Sequence, residues 1–222
     1  MGPRADGIIS DDRDLTGYFI TLEGGEGVGK STQIKALAEA LRARGVDLVV
    51  TREPGGSEGA EAIRNLLMQG AADRWNDRAE ALLFAAARAD HVAKTILPAL
   101  QRGAWVLCDR YVDSTRAYQG GGGGLTDADI MALHQVGSSG LLPHRTFLLT
   151  LAPEVAHKRL SLRDINGADR MGSKPADYQS RLAARFRELA EAEPERWRII
   201  DADAAPEEIT QRLINGLAEW LP

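Results

Sequence analysis

Gly24-Gly25-Glu26-Gly27-Val28-Gly29-Lys30-Ser31-Thr32 sets a lysine and two hydroxyls directly behind a run of glycines. Gly24, Gly29, Lys30 and Ser31 occupy the fixed positions of the pattern G-x-x-x-x-G-K-[ST]. Glycines let the backbone turn its N–H groups inward on a phosphate. A helix beginning near Gly29 adds the positive end of its dipole. Lys30 can then reach the β- and γ-phosphates of a nucleoside triphosphate, and the Ser31 hydroxyl can ligate Mg2+. Glu26 opposes anion binding unless it points elsewhere, toward metal-bound water or a sugar hydroxyl of a second substrate beside the loop.

Other groups extend this chemistry. Asp109 ends an apolar strand pattern and is placed to hold Mg2+ directly or through water. Arg110 offers a fork for phosphate oxygens; its plain alternative is an ion pair with Asp109 or Asp113. Arg52 and Glu53, in the turn Arg52-Glu53-Pro54-Gly55-Gly56, either line an acceptor site or pair with each other. Phe84 and Arg88 lie four apart and share a helix face. A ring to stack on a base beside a guanidinium for its edge suits nucleobase recognition, but spacing alone favours a core Phe84 with Arg88 snorkelling to solvent. Arg159, Arg163 and Arg170 surround a polar stretch that reads as a flap able to neutralise a phosphoryl group in transit, or as a solvated loop.

These groups need a scaffold. Apolar runs at Tyr18–Leu22, Leu48–Thr51, Trp105–Asp109, Thr146–Leu151 and Trp197–Asp201 alternate with helical patterns, as in a parallel sheet covered on both faces. Helices are predicted over Gln33–Arg44, Asn76–Gln101, Ala128–Ser138, Pro153–Leu162, Asp177–Ala192 and Pro206–Trp220. The longest carries Leu82, Leu83, Ala86, Ala93, Ile96, Leu97 and Leu100 as its expected buried stripe. In open parallel sheets ligands gather at the carboxyl ends of the strands. Gly24, Arg52–Gly56 and Asp109-Arg110-Tyr111 all follow strands, so their loops are expected to converge.

The chain's 222 residues, 44% of them hydrophobic, suffice for one α/β domain. A net charge of −5 argues against broad binding to nucleic acid or a membrane surface. A single cysteine, Cys108, allows no internal disulfide and fits a reducing, cytoplasmic setting; it reads as a buried strand residue. No apolar run is long enough to span a membrane. Residues 1–16 are polar and read as a disordered leader, leaving residues 17–222 as one domain.

Taken together, Phe19-Ile20-Thr21-Leu22-Glu23-Gly24 running into the glycine loop, Thr51-Arg52-Glu53-Pro54-Gly55-Gly56, Leu83-Phe84-Ala85-Ala86-Ala87-Arg88, Asp109-Arg110-Tyr111, Ser114-Thr115 and Ala117-Tyr118-Gln119-Gly120 resemble the thymidylate kinase family over residues 18–221. The resemblance implies a five-stranded parallel sheet flanked by helices, as in P-loop nucleoside monophosphate kinases. It implies transfer of the γ-phosphoryl of ATP to dTMP with Mg2+, and a homodimer packed through helices. By similarity, Gly24 through Thr32 hold ATP, Lys30 and Arg110 act on the phosphates, and Ser31 and Asp109 serve the metal. Phe84 would stack on thymine and Arg88 bond its edge. Arg52, Glu53, Pro54, Ser114, Tyr118 and Gln119 would line the acceptor pocket, with Tyr118 set against a 2′-hydroxyl and Glu26 near the sugar. Arg159, Arg163 and Arg170 would belong to a lid over about residues 163–176, as in the bacterial form, whose glycine loop lacks an arginine. This chain departs from the family in having no arginine within Gly120–Gly124 and in having Gly172 where a glutamate is frequent.

Two rival readings stand beside this one. The first is a kinase for another nucleoside monophosphate. The second is a non-catalytic ATP-binding regulator. A GTPase would need an Asn-Lys-x-Asp element, which the chain lacks.

Overall fold

The computed structural model describes residues 15–71, 73–121, 124–163 and 176–222. Among these, five short strands form one parallel sheet: β1 (Phe19–Glu23), β2 (Leu48–Arg52), β3 (Trp105–Asp109), β4 (Arg145–Thr150) and β5 (Trp197–Asp201), in the order β2-β3-β1-β4-β5. Every residue of β1 is buried, as a central strand covered on both faces requires. Successive residues of a strand face opposite ways, so β1 feeds two cores. Ile20 and Leu22 join Leu107, Phe147 and Leu149 against α1 (Lys30–Arg42) and α9 (Pro206–Asn215). On the other face Phe19, Val106 and Cys108 pack against Ala81, Val92, Ile96, Leu100 and Ile130.

That second face is covered by α3 (Asp77–His91), which runs through one π-helical turn, Val92–Ile96, into α4 (Leu97–Gln101), and by α6 (Asp127–Ser138). Further along it, α8 (Ala176–Ala192) sets Tyr178, Leu182, Phe186 and Leu189 against Leu148 and Trp197. α7 (Pro153–Arg163) follows β4.

The strands and the helix order match the sequence reading, with four differences. α9 stops at Asn215, its remainder to Trp220 being turns, whereas α1 starts at Lys30, ahead of its apolar period but directly on the glycine loop, as the motif predicts. α2 (Glu58–Met68) was not expected. It buries only Ala60 and Leu67, too little to leave an apolar period, although Ser57 caps it by accepting the Ala60 N–H. Also unexpected were α5 (Val112–Thr115) and a π-helical segment, Arg116–Gly121. Lastly, the apolar stripe of the long helix needs correction. Leu82 is 55% exposed and Ala86 and Ala93 are exposed, while Glu80, Ala81, Phe84, Arg88 and His91 are buried. The inner face of α3 looks onto a polar site, so its buried positions include paired charges that periodicity assigns to solvent.

Leu15 packs on the core and the Thr16 N–H donates to Leu100 O, so both belong to the domain. The rest of the expected leader, and residues 164–175 of the expected lid, lie outside the described residues.

Candidate active site

The strand order sets the glycine loop, which follows central β1, between two groups of elements. The loops after β2 and β3 lie to one side and the start of α9 to the other. Residues from all of them line one cavity of about 780 Å³. At its centre are Glu26, Lys30, Asp109 and Arg110. Toward α9 it is lined by Gly27, Val28, Gly29, Ser31, Thr32, Arg159, Pro206 and Ile209. Toward β2 and α3 it is lined by Arg52, Glu53, Pro54, Arg64, Phe84, Arg88, Ser114, Thr115, Tyr118 and Gln119.

The loop owes its path to close packing. Gly24 has φ of +133°, and a Cβ there would lie 2.5 Å from Leu149 O, so only glycine fits. Lys30 Nζ donates to Gly24 O at 3.1 Å and to Gly25 O at 2.7 Å. Burial, then the charge of Arg110, lowers its pKa to about 8. Among the described residues its hydrogen bonds go to backbone carbonyls, and the nearby carboxylates of Glu26, Asp109 and Glu23 favour its charge.

Arg110 joins the loop to the rest of the cavity. Its Nη1 donates to Gly24 O at 3.0 Å and Ser114 Oγ at 3.1 Å, and its Nη2 donates to Glu26 Oε1. The guanidinium also lies over the Tyr118 ring, 5.2 Å from its centroid. Glu26 is thereby turned toward Arg110, and it is Glu26, not Asp109 or Asp113, that forms the ion pair with Arg110. Burial works to lower the Arg110 pKa, but Tyr118, Glu26, Asp109 and Glu23 outweigh it and raise it, so the cation is permanent. Its backbone, at φ 68°, sits in the left-handed region that side chains seldom adopt. The Arg110 N–H, donating to Leu22 O at 3.0 Å, helps hold it there.

Glu23, at the end of β1, accepts from the Tyr111 N–H at 2.8 Å and from Ser114 Oγ at 2.6 Å. Burial first, then the Asp113 charge, raises its pKa to about 8. Asp109 shares this floor, and its buried Oδ1 has no hydrogen-bond partner among the described residues.

At the far end the alternatives left open by the sequence are decided geometrically. Arg52 does not pair with Glu53; it donates to Glu61 at 3.1 Å. Glu53 instead takes Arg88 Nε on Oε2 at 2.8 Å and meets His91 Nδ1 on Oε1 at 3.0 Å. Arg88 Nη2 donates to Thr115 Oγ1 at 2.9 Å. Arg88 is 3% exposed, so it does not snorkel; a chain of partners keeps it in the cavity wall beside Phe84. Tyr118 O–H reaches Glu26 Oε1 at 3.5 Å, and Gln119 Nε2 donates to Glu80 Oε1 at 2.8 Å.

Arg159 lies within 3.5 Å of Ala202 O with both terminal nitrogens. Arg163 ends α7, but its side chain and all of Arg170 lie outside the described residues, as do Gly122, Gly123 and Gly172. Sequence reasoning missed Arg64, which donates to Pro54 O at 2.7 Å and lines the cavity from α2. It also missed His91. Neither sits in a motif that the residue pattern marks. Among the described residues no helix is long and apolar enough to cross a membrane.

The family model of thymidylate kinase matches residues 22–213. The thymidylate kinase of Rhizorhabdus wittichii is 60% identical over 208 residues, covering 94% of this chain and all of that protein. That of Caulobacter vibrioides is 53% identical over 205 residues, covering 92% of this chain and 98% of that protein. Among solved structures, thymidylate kinase from Ehrlichia chaffeensis superposes with a TM-score of 0.73 at 31% identity, covering 90% of this chain and 98% of that one.

Proposed function

The chain belongs to the thymidylate kinase family, and from that premise we propose how its residues divide the work. The reaction is phosphorylation of dTMP to dTDP with ATP as phosphoryl donor. The observation that carries the assignment of roles is the single cavity running from the glycine loop, past Arg110, to Phe84 and Arg88.

Lys30 and the amides of Gly24 through Thr32 hold the triphosphate, with Arg159 at the outer end of the groove. Arg110 holds the acceptor phosphate in line, its cation supported by Glu26. No general base is needed, because the acceptor phosphate is already anionic; alignment and charge neutralisation suffice. Arg159, with Arg163 and Arg170 by resemblance, neutralises the group in transit. Phe84 stacks on the base. Arg88 gives Nε to Glu53 and Nη2 to Thr115, which leaves Nη1 with no hydrogen bond among the described residues. A guanidinium only donates, so it accepts a ring carbonyl and rejects an amino group at the same edge. Ser114, Tyr118 and Gln119 line the nucleoside pocket with Arg52, Glu53 and Pro54, and Tyr118 stands against a 2′-hydroxyl.

Mg2+ fits Asp109 and Ser31. A buried carboxylate oxygen lacking a hydrogen-bond partner among the described residues and a hydroxyl lining the same cavity are hard oxygen donors and would hold such an ion. When bound, it neutralises charge on the β- and γ-phosphates.

A homodimer is supported by the outer faces of α3 and α6, where Leu82 is 55% and Val136 87% exposed and Gly137 lets the two helices approach closely. A cytoplasmic setting fits the lone, buried Cys108, whose thiol burial pushes well up. The lid, about residues 163–176, is carried by resemblance alone.

ADP formation from Mg·ATP with dTMP, dUMP, UMP, CMP and AMP in turn tests this reading. Strong, selective stimulation by dTMP is expected. Equal stimulation by CMP would remove the role given to Arg88, and no stimulation by any of them would leave a nucleotide-binding protein without an acceptor.

A further inference from the structure

His91, the last residue of α3, is fully buried and does not line the cavity. Both of its ring nitrogens are nevertheless engaged. Thr51 Oγ1, from β2, lies 2.7 Å from Nε2, and Glu53 Oε1 lies 3.0 Å from Nδ1. A carboxylate can only accept, so the ring carries its proton on Nδ1 toward Glu53, and in the neutral ring Nε2 accepts from the Thr51 hydroxyl. The other Glu53 oxygen accepts from Arg88 Nε, and Arg88 Nη2 donates to Thr115. The result is one unbroken line, Thr51–His91–Glu53–Arg88–Thr115, from strand to cavity wall.

The loop around the ring is shaped to admit it. A Cβ on Gly56, whose φ is +86°, would lie 2.3 Å from both His91 Nε2 and Thr51 Oγ1. Thr95 Oγ1 donates to Gly56 O at 2.7 Å and closes the loop from the π-helical turn. Without His91, Glu53 would have Arg88 as its side-chain partner on one oxygen only and would be free to rotate. The Arg88 fork would then lose its fixed plane.

We propose that His91 is a positioning residue for base recognition: by holding one Glu53 oxygen it fixes the other against Arg88 Nε, which sets the guanidinium plane and leaves Nη1 as the group that meets the base. This rests on the reading of Arg88 as the base-edge residue. It places a specificity determinant outside the cavity, where loss of hydrogen bonding acts through orientation rather than contact.

The test is the steady-state KM for dTMP and for ATP, with melting temperature in parallel. His91→Gln, whose amide reaches toward Thr51 and no longer toward Glu53, is expected to raise KM for dTMP about tenfold, as loss of a fixed hydrogen bond does, while KM for ATP moves much less. His91→Asn, which keeps an N–H donor near the Nδ1 position, is expected to recover most of that loss. Arg88→Met raises KM for dTMP by itself, and His91→Gln adds nothing further on that background. Thr51→Val frees the far side of the ring without touching the cavity; it repeats the comparison should a His91 variant fail to fold. If Arg88→Met leaves KM for dTMP unchanged, the base-edge reading falls and the proposal with it. If Arg88→Met raises KM but the His91 and Thr51 variants only lower the melting temperature, or add the same factor with and without Arg88, the positioning role is overturned while the base-edge reading stands.

Discussion

The two ends of the cavity are built by different rules. Toward α3, side chains bind one another: Glu53 with Arg88 and His91, Arg88 with Thr115, Gln119 with Glu80, all of them buried. Toward the glycine loop and α9, side chains rest on backbone carbonyls: Lys30 on Gly24 and Gly25, Arg159 on Ala202. Ser31 and Thr32 there are exposed. A carbonyl is a placeholder that a phosphate displaces at little cost, whereas a buried carboxylate–guanidinium pair is part of the fold. On the proposed reading, the acceptor end is therefore preorganised and the donor end is completed by its ligand. Substitutions at the first should weaken the fold and acceptor binding together, and at the second should strike turnover and spare the fold.

The largest effect tests the first half of that contrast. Glu53→Ala strands the buried Arg88 cation and His91, and removing one member of a buried ion pair costs about 3–5 kcal/mol of stability. Denaturant unfolding should show it directly; a loss below about 1 kcal/mol would mean that the acceptor end is not cross-linked as described. Next comes Lys30→Ala. Loss of a preorganised charge at the transferring group costs about 10²–10³-fold in kcat, read from ADP formation at saturating dTMP, with the unfolding midpoint little changed. Near-normal turnover would end the role given to Lys30, and a large loss of stability would break the contrast from the other side.

This contrast also explains what was legible in the residues. The glycine loop, the five strands and the placing of Asp109 and Arg110 behind β3 follow from local spacing, Phe84 and Arg88 enter the site only through the family resemblance, and the structure brings all four residues to one cavity. What escaped is the network behind them. Arg88 reads as a snorkelling side chain because no local pattern announces that Glu53, thirty-five positions earlier, will meet it. Glu80 and His91, buried on the same helix by partners from distant segments, leave no mark in its apolar period either. They make Leu82, Ala86 and Ala93 look like the core face when these are exposed. α2 went unseen because it buries so little. Periodicity reports contacts with oil; it is silent on polar contacts made across the fold.

A pH titration sharpens the comparison at the junction of the two ends. Glu23 keeps its proton up to about pH 8 in the fold, against an ordinary value of 4.5, chiefly because it is buried. Between those values the native state binds more protons than the unfolded state, so stability falls as pH rises. This contribution is complete below the ordinary value and gone above about 8. The ligand-free protein should melt at lower temperature as pH climbs through that window, and Glu23→Gln, which cannot ionise, should flatten the slope. An unchanged slope in the variant would assign it to other groups.

The smallest effect lies one residue from the largest. Arg52 precedes Glu53, yet its partner Glu61 is 42% exposed and Arg52 itself 54%. Such a pair sits in water, where the Coulomb gain is screened and side-chain ordering offsets it, so Arg52→Ala should cost less than about 1 kcal/mol of stability. The same variant removes a cation from the rim of the acceptor end, and KM for dTMP should rise modestly, and less at high salt, since an exposed charge acts through a screened field. Adjacent positions on one strand end would then differ several-fold in their weight on the fold while both touch the same cavity. Burial of the partner, rather than nearness to the ligand, would be what separates them. An Arg52→Ala protein as unstable as Glu53→Ala would instead tie the exposed rim into the same cooperative network.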